Sequence, residues 1–316
     1  MLTWFPFVRR RHCCTIAFFW LALSFLPACG DKDERLQSTA KPWEEFLGTR
    51  ALEHVQRLVD LGPRPPGSEA IARARDYISA QLEQSGWIVD RQAFANDTPR
   101  GKVNFVNLIA RFRQSQKAAN GSLFLLCSHY DTKTFDSIRF VGANDGGSST
   151  GALLEIASVL AHHAKLAAKI ELVFFDGEEA YKEFSATDGF YGSRYFAKQL
   201  VDQKESAQFR GGILLDMMGD RSLTITLSPD SPPALARDIF AAAEALGQRN
   251  HFTYFDRAIS DDHTPLNAAG IPTIDLIDFD FPWWHTADDT MDKISAESLQ
   301  TVGAVTLYYL SEFAFR

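Results

Sequence analysis

Short apolar runs alternate along this chain with longer segments in which apolar residues recur at helical spacing. The short runs predict strands, which we place near residues 89–94, 103–112, 123–128, 170–175 and 212–216. The longer segments predict helices, which we place near 43–61, 68–82, 150–160, 191–201 and 296–315. Strands that alternate with helices are typical of an α/β three-layer sandwich. We therefore expect a central, mostly parallel mixed β-sheet flanked by helices, with polar loops at 181–188 and 250–260 over its edge.

Composition limits what surrounds this sheet. The chain has 316 residues, 46% of them hydrophobic, and a net charge of −8. These values are typical of a globular protein and exclude disordered and fibrous classes. Basic residues form no stripe beyond the first residues, so we expect no nucleic-acid partner. We assign residues 42–316 to a single domain, and we expect it to be a monomer.

The first residues have the features of a targeting segment. Arg9, Arg10 and Arg11 precede the apolar stretch 15–26, which is too short to span a bilayer. We interpret residues 1–28 as a lipoprotein signal peptide, because the sequence around Cys29 resembles a bacterial lipobox. Cys29 would then be lipidated, and the polar residues 29–41 would form a tether. An uncleaved anchor or ordinary cleavage are the alternatives.

This interpretation predicts an exported protein, anchored by lipid to a bacterial membrane on its periplasmic or cell-surface side. Cleavage before Cys29 leaves 29 basic and 40 acidic residues, a net charge of −11. A mature protein with this negative charge would not be attracted to anionic lipid, so the acyl chains on Cys29 would have to provide the attachment. Cys13 and Cys14 would be removed, which leaves Cys127 as the one unmodified cysteine. No disulfide framework is then possible, and a lone thiol in an apolar strand is more typical of packing than of catalysis.

Two adjacent glutamates, Glu178 and Glu179, follow the apolar run 170–175. Ionised carboxylates at the end of a buried strand are costly unless a positive charge lies between them. The pair therefore indicates a metal ion with a proton-transfer group beside it. One carboxylate could bind the metal, and the other could act on the substrate.

Further ligand-type residues lie in contexts that also resemble strand ends: His129, Asp145, Asp216 and His285. Any one of them alone could be a helix cap or a solvated turn. Together they predict a site at the carboxyl edge of the sheet, where ligand crevices of open parallel sheets form. Carboxylate oxygens and imidazole nitrogens suit Zn²⁺, which in catalytic sites has three protein ligands and one open position.

Several segments in this chain, in this order, resemble the animal-type glutaminyl cyclases, zinc enzymes related to the M28 aminopeptidases. The segments are 128–133 (SHYDTK), 141–145 (VGAND), 174–180 (FFDGEEA), 191–194 (YGSR), 214–216 (LLD), 261–265 (DDHTP) and 281–286 (FPWWHT). The resemblance runs from about Pro42 to the C-terminus. It implies a zinc-dependent acyltransferase that cyclises the N-terminal glutamine of peptides or proteins to pyroglutamate and releases ammonia.

The resemblance also implies roles for individual residues. One Zn²⁺ would be held by Asp145, Glu179 and His285. Glu178 would accept the proton of the substrate amine and return it to the leaving nitrogen. Asp216 and Asp261 would hydrogen-bond to the reacting nitrogen, with Asp262 and His263 behind them.

The same resemblance implies an apolar pocket for the glutamine side chain. Trp284 and Phe281 would line it, together with Phe184, which stands where the animal enzymes have a second tryptophan. The chain also departs from the animal enzymes at Asp275, where they carry a histidine.

The main alternative is an M28-like aminopeptidase that hydrolyses N-terminal peptide bonds with two zinc ions. His129, Asp145 and Asp216 would bind one ion, and Asp145 would be shared with a second ion, which Glu179 and His285 would also bind. Asp261 before Asp262-His263 and Trp284 before His285 favour the cyclase. A third hypothesis, a non-enzymatic binding lipoprotein, predicts a missing base or ligand, and none is missing.

Overall fold

A computed structural model of the chain describes residues 41–113 and 119–316. The predicted signal peptide, Cys29 and almost all of the predicted tether lie outside these residues. The described part of the chain forms an eight-stranded sheet. Its strands are β1 (Trp87–Thr98), β2 (Gly101–Phe112), β3 (Leu123–His129), β4 (Ile170–Phe175), β5 (Phe209–Asp216), β6 (Ile225–Leu227), β7 (Phe252–Tyr254) and β8 (Thr273–Ile277).

The sheet is mixed, with a parallel centre. Its strand order is β1-β2-β4-β3-β5-β8-β6-β7. The four central strands β4, β3, β5 and β8 run parallel to one another. The β1–β2, β2–β4 and β6–β8 pairs are antiparallel, and the outer β6–β7 pair is parallel. The predicted sandwich with a mostly parallel mixed sheet is therefore confirmed. Parallel central strands place their carboxyl ends at one edge, which is where the candidate site lies.

Helices cover both faces of the sheet. Those in the described residues are α1 (Pro42–Glu45), α2 (Gly48–Asp60), α3 (Glu69–Gln84), α4 (Gly147–Ala161), α5 (Ala164–Ala167), α6 (Tyr191–Asp202), α7 (Pro233–Ala245), α8 (His263–Ala268) and α9 (Ala296–Glu312). The side chain of Ser68 accepts a hydrogen bond from the Ile71 N–H and caps α3, as its sequence predicts.

The two larger apolar clusters of the described residues lie on opposite faces of the sheet, and a third, smaller cluster contains Phe281. Alternate residues of β3 divide between the two larger clusters: Phe124 and Leu126 pack with residues of α2, α3, α4, α7 and α9, whereas Leu125 and Cys127 pack with residues of α6 and α8. Every residue of β3 and β4 is buried, because both faces of the central strands are covered. Cys127 is one of these packing residues, and burial raises the pKa of its thiol.

The structure corrects several predicted element boundaries. The predicted helix 43–61 is two helices, since Phe46 and Leu47 leave the helical conformation and Phe46 inserts into the core. The last helix ends at Glu312 rather than near residue 315. The predicted loop 250–260 contains β7. The pattern did not indicate β6, β8, α5, α7 or α8.

No helix within residues 41–113 and 119–316 combines the length and the apolar composition that a membrane span requires. The predicted export and lipid anchoring depend on residues outside this part of the chain.

Candidate active site

The ends of three central strands bring chemically active side chains to one edge of the sheet. His129 is the last residue of β3 and Asp216 is the last residue of β5. Glu178 and Glu179 follow β4 after a short turn. All four side chains are at least 90% buried. The predicted convergence at the carboxyl edge is confirmed for these residues.

Asp145 and His285 reach the site from loops, so the prediction that they follow strands is wrong. Asp145 lies two residues before α4, and His285 lies between β8 and α9. Gly146, next to Asp145, has φ +73°, and an added Cβ would lie 2.6 Å from the Asp131 carbonyl oxygen. His285 itself has φ +56°, an uncommon conformation for a residue other than glycine. These turns direct both side chains back toward the strand ends.

Within residues 41–113 and 119–316, two groups of three side chains could hold a metal ion, and they share Asp145. One group is His129, Asp145 and Asp216, and the other is Asp145, Glu179 and His285. His129 Nε2 lies 3.3 Å from Oδ1 of Asp145 and 3.3 Å from Oδ1 of Asp216. His285 Nε2 lies 3.2 Å from Glu179 Oε2 and 3.5 Å from Asp145 Oδ2. The geometry therefore offers places for one ion or for two that share a carboxylate.

The donor set fits zinc. Each group combines imidazole nitrogen with carboxylate oxygen, which zinc accepts in tetrahedral sites. Oδ2 of Asp145 is buried and has no hydrogen-bond partner among the described residues, although it faces His285. A buried carboxylate oxygen without a partner is costly, and a bound cation would satisfy it.

The charges in this cluster shift the pKa values of its members in opposite directions. Burial, together with the charge of Glu179, raises the pKa of Asp145 to about 6. Burial also acts to raise the pKa of Glu179, but the charge of His285 and its hydrogen bond outweigh it and lower the pKa to about 2. For His285 the attraction of Glu179 outweighs burial, so its pKa is raised. Glu179 is thus the carboxylate that stays ionised most easily.

Glu178 lies beside these ligand-type groups but belongs to neither of them. Its carboxyl is buried, and burial with the nearby charges of Glu179 and Asp261 raises its pKa well above the ordinary value. The N–H groups of Glu178 and Glu179 donate to the two carboxylate oxygens of Asp131, at 3.1 and 3.3 Å. The pair is therefore oriented through its backbone, and the Glu178 carboxyl is suited to exchange a proton.

A second acidic cluster adjoins Glu178. Asp261 accepts a hydrogen bond from the Asp262 N–H at 2.5 Å, and Asp262 accepts one from the Ser193 hydroxyl at 2.5 Å. Burial raises the pKa values of these carboxyls, that of Asp262 to about 7. His263 is also buried, and burial lowers its pKa to about 4. Asp275 is fully buried beside them, and within the part of the chain that the structure describes neither of its carboxylate oxygens has a hydrogen-bond partner.

Aromatic rings enclose His285. The ring of Trp284 stacks on the imidazole at 4.1 Å, and Phe135 and Phe140 contact it edge-on, each at 5.9 Å. Trp284 is 40% exposed, so part of its ring is available to a ligand. These contacts hold the imidazole in place and exclude water around it.

The two other predicted pocket aromatics occupy different environments. Phe281 is 3% exposed and packs with Met217, Ile259 and Ile277 beneath the site. Phe184 is 38% exposed on the rim, where Lys133 Nζ lies 5.3 Å from its ring centroid. The same ammonium group is 3.4 Å from Glu179 Oε2 and donates to the Ala180 carbonyl at 2.6 Å.

Three supporting residues have no role in the sequence interpretation. Asp289 accepts hydrogen bonds from the N–H groups of Asn144 and Asp145, at 2.7 and 3.0 Å. It therefore holds the loop that carries Asp145, one of the candidate metal ligands. Asp131 orients the two glutamates. Arg64 is fully buried and donates to backbone carbonyls near the site. Their partners are distant in sequence, and only the position of Asp131, two residues after His129, could have indicated one of them.

Comparison with known proteins agrees with this geometry. The model of peptidase family M28 matches residues 107–310, which is more than half of the chain. The chain belongs to this family. A glutaminyl-peptide cyclotransferase of Dictyostelium discoideum is 33% identical over 321 residues, covering 86% of this chain and 87% of that protein. The resemblance to glutaminyl cyclases is therefore confirmed.

Solved structures share the fold. The glutaminyl cyclase of Porphyromonas gingivalis superposes with a TM-score of 0.77 at 33% identity, covering 85% of this chain and 99% of that one. A Zn-dependent exopeptidase of Parabacteroides distasonis also has a TM-score of 0.77, at 28% identity, with coverage of 85% and 99%. The fold alone thus accommodates both reaction classes, and residues at the site must distinguish them.

Proposed function

We propose that this protein is a glutaminyl-peptide cyclotransferase, which converts the N-terminal glutamine of peptides or proteins to pyroglutamate and releases ammonia. One observation carries the proposal: Glu178, a buried carboxyl with a raised pKa, lies beside a group that could bind a metal and next to Asp261. Cyclisation needs one proton to move between two nitrogens of the substrate, and a single carboxyl can move it.

We further propose that Asp145, Glu179 and His285 hold one Zn²⁺. When bound, zinc would supply Lewis-acid polarisation of the glutamine side-chain carbonyl. The depressed pKa of Glu179 and the unpartnered Oδ2 of Asp145 support this assignment. Trp284 and the phenylalanines around His285 would keep the ligand group dry and in place.

The remaining steps use side chains of this chain. The substrate α-amine attacks the side-chain carbonyl carbon, forms the ring C–N bond and gives a proton to the Glu178 carboxylate. Glu178 then protonates the departing amide nitrogen, whose C–N bond breaks and releases ammonia. Asp216 and Asp261 would hydrogen-bond to the nitrogen during this transfer, with Asp262 and His263 behind them. Trp284, Phe281 and Phe184 would shape an apolar pocket for the uncharged side chain.

A second candidate function is aminopeptidase activity with two zinc ions. The observation that favours it is the complete second ligand group of His129, Asp145 and Asp216. If the protein is a cyclase with one zinc ion, His129 is not a zinc ligand and instead interacts with the carboxylates of Asp145 and Asp216. Burial lowers its pKa, but the charge of Asp216 and hydrogen bonds to neighbouring carboxylates raise it well above the ordinary value.

The proton transfer is tested by Glu178→Gln, which keeps the shape of the side chain and removes its basicity. We expect the variant to bind zinc as tightly as the wild type and to lose roughly 100- to 10,000-fold in kcat on a glutaminyl peptide. Glu244→Gln, an exposed position on α7, is the matched control and should be unchanged. Full turnover in the Glu178 variant would remove this residue from the mechanism.

We also propose the finer assignments that depend on the first residues. Residues 1–28 would be a signal peptide, and Cys29 would be lipidated. Residues 29–41 would tether domain 42–316, as a monomer, to the periplasmic or cell-surface side of a bacterial membrane. Cys29→Ser should abolish incorporation of labelled fatty acid and release the protein from the membrane fraction. Continued labelling of that variant would contradict the lipidation.

A further inference from the structure

A cavity of about 500 Å³ lies between the segment after β5, the segment after β8 and the segment before α9. Its volume is typical of sites for small molecules. The cavity adjoins the candidate active site through Trp283, because the ring of the neighbouring Trp284 stacks on His285. No residue assigned above to metal binding or proton transfer lines it. Its charged wall residues are four acidic and two basic ones: Asp220, Asp278, Asp280, Asp292, Arg221 and Lys293.

Three of the four carboxylates have no positive partner in the described part of the chain. Asp292 pairs with Lys293 Nζ at 2.5 Å. Asp220, Asp278 and Asp280 form no ion pair with any described residue, and the hydrogen bonds that they accept come from backbone N–H groups. Burial, together with the charges of Asp220 and Asp280, raises the pKa of Asp278 to about 7. The three groups therefore repel one another, and a cation between them would relieve the repulsion.

Asp220 has a carboxylate oxygen without a donor. The residue is 8% exposed, and its Oδ1 accepts a hydrogen bond from the Ser222 N–H at 3.1 Å. Oδ2 accepts none from the residues that the structure describes. Because Asp220 lines the cavity, a ligand there can reach this oxygen. A mostly buried oxygen that lacks a donor favours a ligand that carries one.

An indole ring forms another part of the wall. Trp283 is 37% exposed, and Lys293 Nζ lies 4.9 Å from the centroid of its ring. This contact shows that the ring accepts an ammonium group. The exposed part of the ring offers a similar surface to a cation that enters the cavity.

The spacing of the acidic groups favours an organic cation over a metal ion. Within residues 41–113 and 119–316, the groups close enough to hold a metal ion are the two at the candidate active site, and neither includes a wall residue of this cavity. An ammonium group has three N–H donors and a guanidinium group has five, so either can reach acceptors that are further apart.

We propose that this cavity binds an organic cation, namely a guanidinium or primary ammonium group on an alkyl chain. The chain would lie against Trp283, and the cationic group would donate to Asp220 and to Asp278 or Asp280. The cation has two possible sources, a free molecule or a basic side chain of a peptide bound at the candidate active site. Binding of the cation does not depend on the proposed reaction.

Calorimetric titration of the zinc-loaded protein tests this binding with three probes: the Nα-acetyl amides of arginine, lysine and glutamine. At least one cationic probe should bind saturably at one site per chain, and the neutral glutamine probe should bind at least about ten-fold more weakly.

Two variants locate the site. Asp220→Asn keeps the size of the side chain and an acceptor for the Ser222 N–H, and it should weaken binding of the cationic probe by roughly ten-fold. Trp283→Leu should weaken it by roughly three- to ten-fold through the lost cation–π contact. Asp60→Asn, which changes an exposed carboxylate on α2 outside the cavity, is the matched control and should bind as the wild type does.

Two peptide amides that differ in their last side chain, Gln-Ala-Ala-Arg and Gln-Ala-Ala-Gln, identify the source of the cation. A lower KM for the arginine peptide, lost in Asp220→Asn, would support the proposal with a substrate side chain as the ligand. Equal KM values, with saturable binding of a cationic probe, would support it with a free molecule as the ligand. This comparison alone rests on the proposed function.

The calorimetric results can overturn the proposal without reference to turnover. Absence of saturable binding by both cationic probes would overturn it, and so would equally tight binding of the glutamine probe. Binding that is unchanged in both Asp220→Asn and Trp283→Leu would place the cation elsewhere. Binding of Ca²⁺ that is weakened in Asp220→Asn, with no binding of either cationic probe, would replace the organic cation with a metal ion. Failure to cyclise the peptides would overturn the proposed function and leave these results as they stand.

Discussion

Replacing Arg64 with methionine should destabilise the protein strongly, although Arg64 takes no part in the proposed catalysis. Its guanidinium is fully buried and donates to the carbonyls of Val141, Gly142 and Tyr130, at 2.8, 3.1 and 3.2 Å, with two longer contacts. Tyr130 follows His129, and Val141 and Gly142 lead to Asp145. Arg64 therefore joins two loops that deliver ligand-type residues.

The size of the destabilisation follows from the buried carbonyls that Arg64→Met leaves without a hydrogen-bond donor. Burial lowers the pKa of Arg64 to about 10, so the side chain is still charged at neutral pH. Each buried carbonyl left without a donor costs about 1–3 kcal/mol, and disruption of a buried charged group costs about 3–5 kcal/mol. The two estimates describe the same contacts and do not add. We expect Arg64→Met to lower the free energy of unfolding by about 3–5 kcal/mol, out of a total of about 5–15 kcal/mol.

Urea denaturation of the metal-free proteins measures this loss, with midpoints compared at constant slope. Arg91→Met is the matched control, because Arg91 is 47% exposed and its ion pair with Asp76 should contribute at most about 1 kcal/mol. Arg64→Lys keeps the charge with fewer donors and should lie between wild type and Arg64→Met. A loss below about 1 kcal/mol in Arg64→Met would refute the argument that these carbonyls depend on Arg64.

Three further predictions concern the aromatic wall, the loop that carries Asp145 and stability against pH. Trp284→Ala should lower kcat/KM for glutaminyl peptides by roughly ten-fold or more through lost apolar contact. Zinc content measured by atomic absorption should be retained, because Phe135 and Phe140 still contact the His285 ring. Asp289→Ala should weaken zinc binding by about 10- to 100-fold in a chelator competition, whereas the exposed neighbour substitution Asp288→Ala should not. Burial raises the pKa of Glu155 to about 7, so the folded state favours the protonated form. The stability that Glu155 contributes should therefore be greatest below the ordinary pKa of 4.5 and fall by at most about 3 kcal/mol as pH rises to about 7. Urea midpoints should fall less over this range in Glu155→Gln than in the wild type.

The carboxyl-edge site could be predicted largely from the sequence, because carboxylates after an apolar strand have few structural explanations. His129, Glu178, Glu179 and Asp216 each lie at or just beyond the end of a central strand. The fold class was also predictable, since the central strands β3, β4 and β5 are continuous apolar runs and the helices that cover them have apolar residues at helical spacing. Strand β8 has five residues and β6 and β7 have three, too few positions for a period to be recognised.

The supporting residues could not be predicted, because their partners are distant in sequence. Asp289 contacts the backbone of Asp145 from 144 positions away, and Arg64 contacts Gly142 from 78 positions away. Neither contact leaves a local pattern. His285 was recognised through family resemblance, but its placement in a loop with φ +56° is a property of the tertiary structure.

The most direct test of the central claim is a parallel assay of the purified, zinc-analysed protein on an N-terminal glutaminyl peptide and on a leucyl chromogenic amide. If the protein is a glutaminyl cyclase, the glutaminyl peptide should release ammonia and lose the matching mass. The leucyl amide should not be cleaved, and the protein should contain one zinc ion per chain. Cleavage of the leucyl amide without cyclisation, with two zinc ions per chain, would contradict this function and assign His129 and Asp216 as ligands of a second metal.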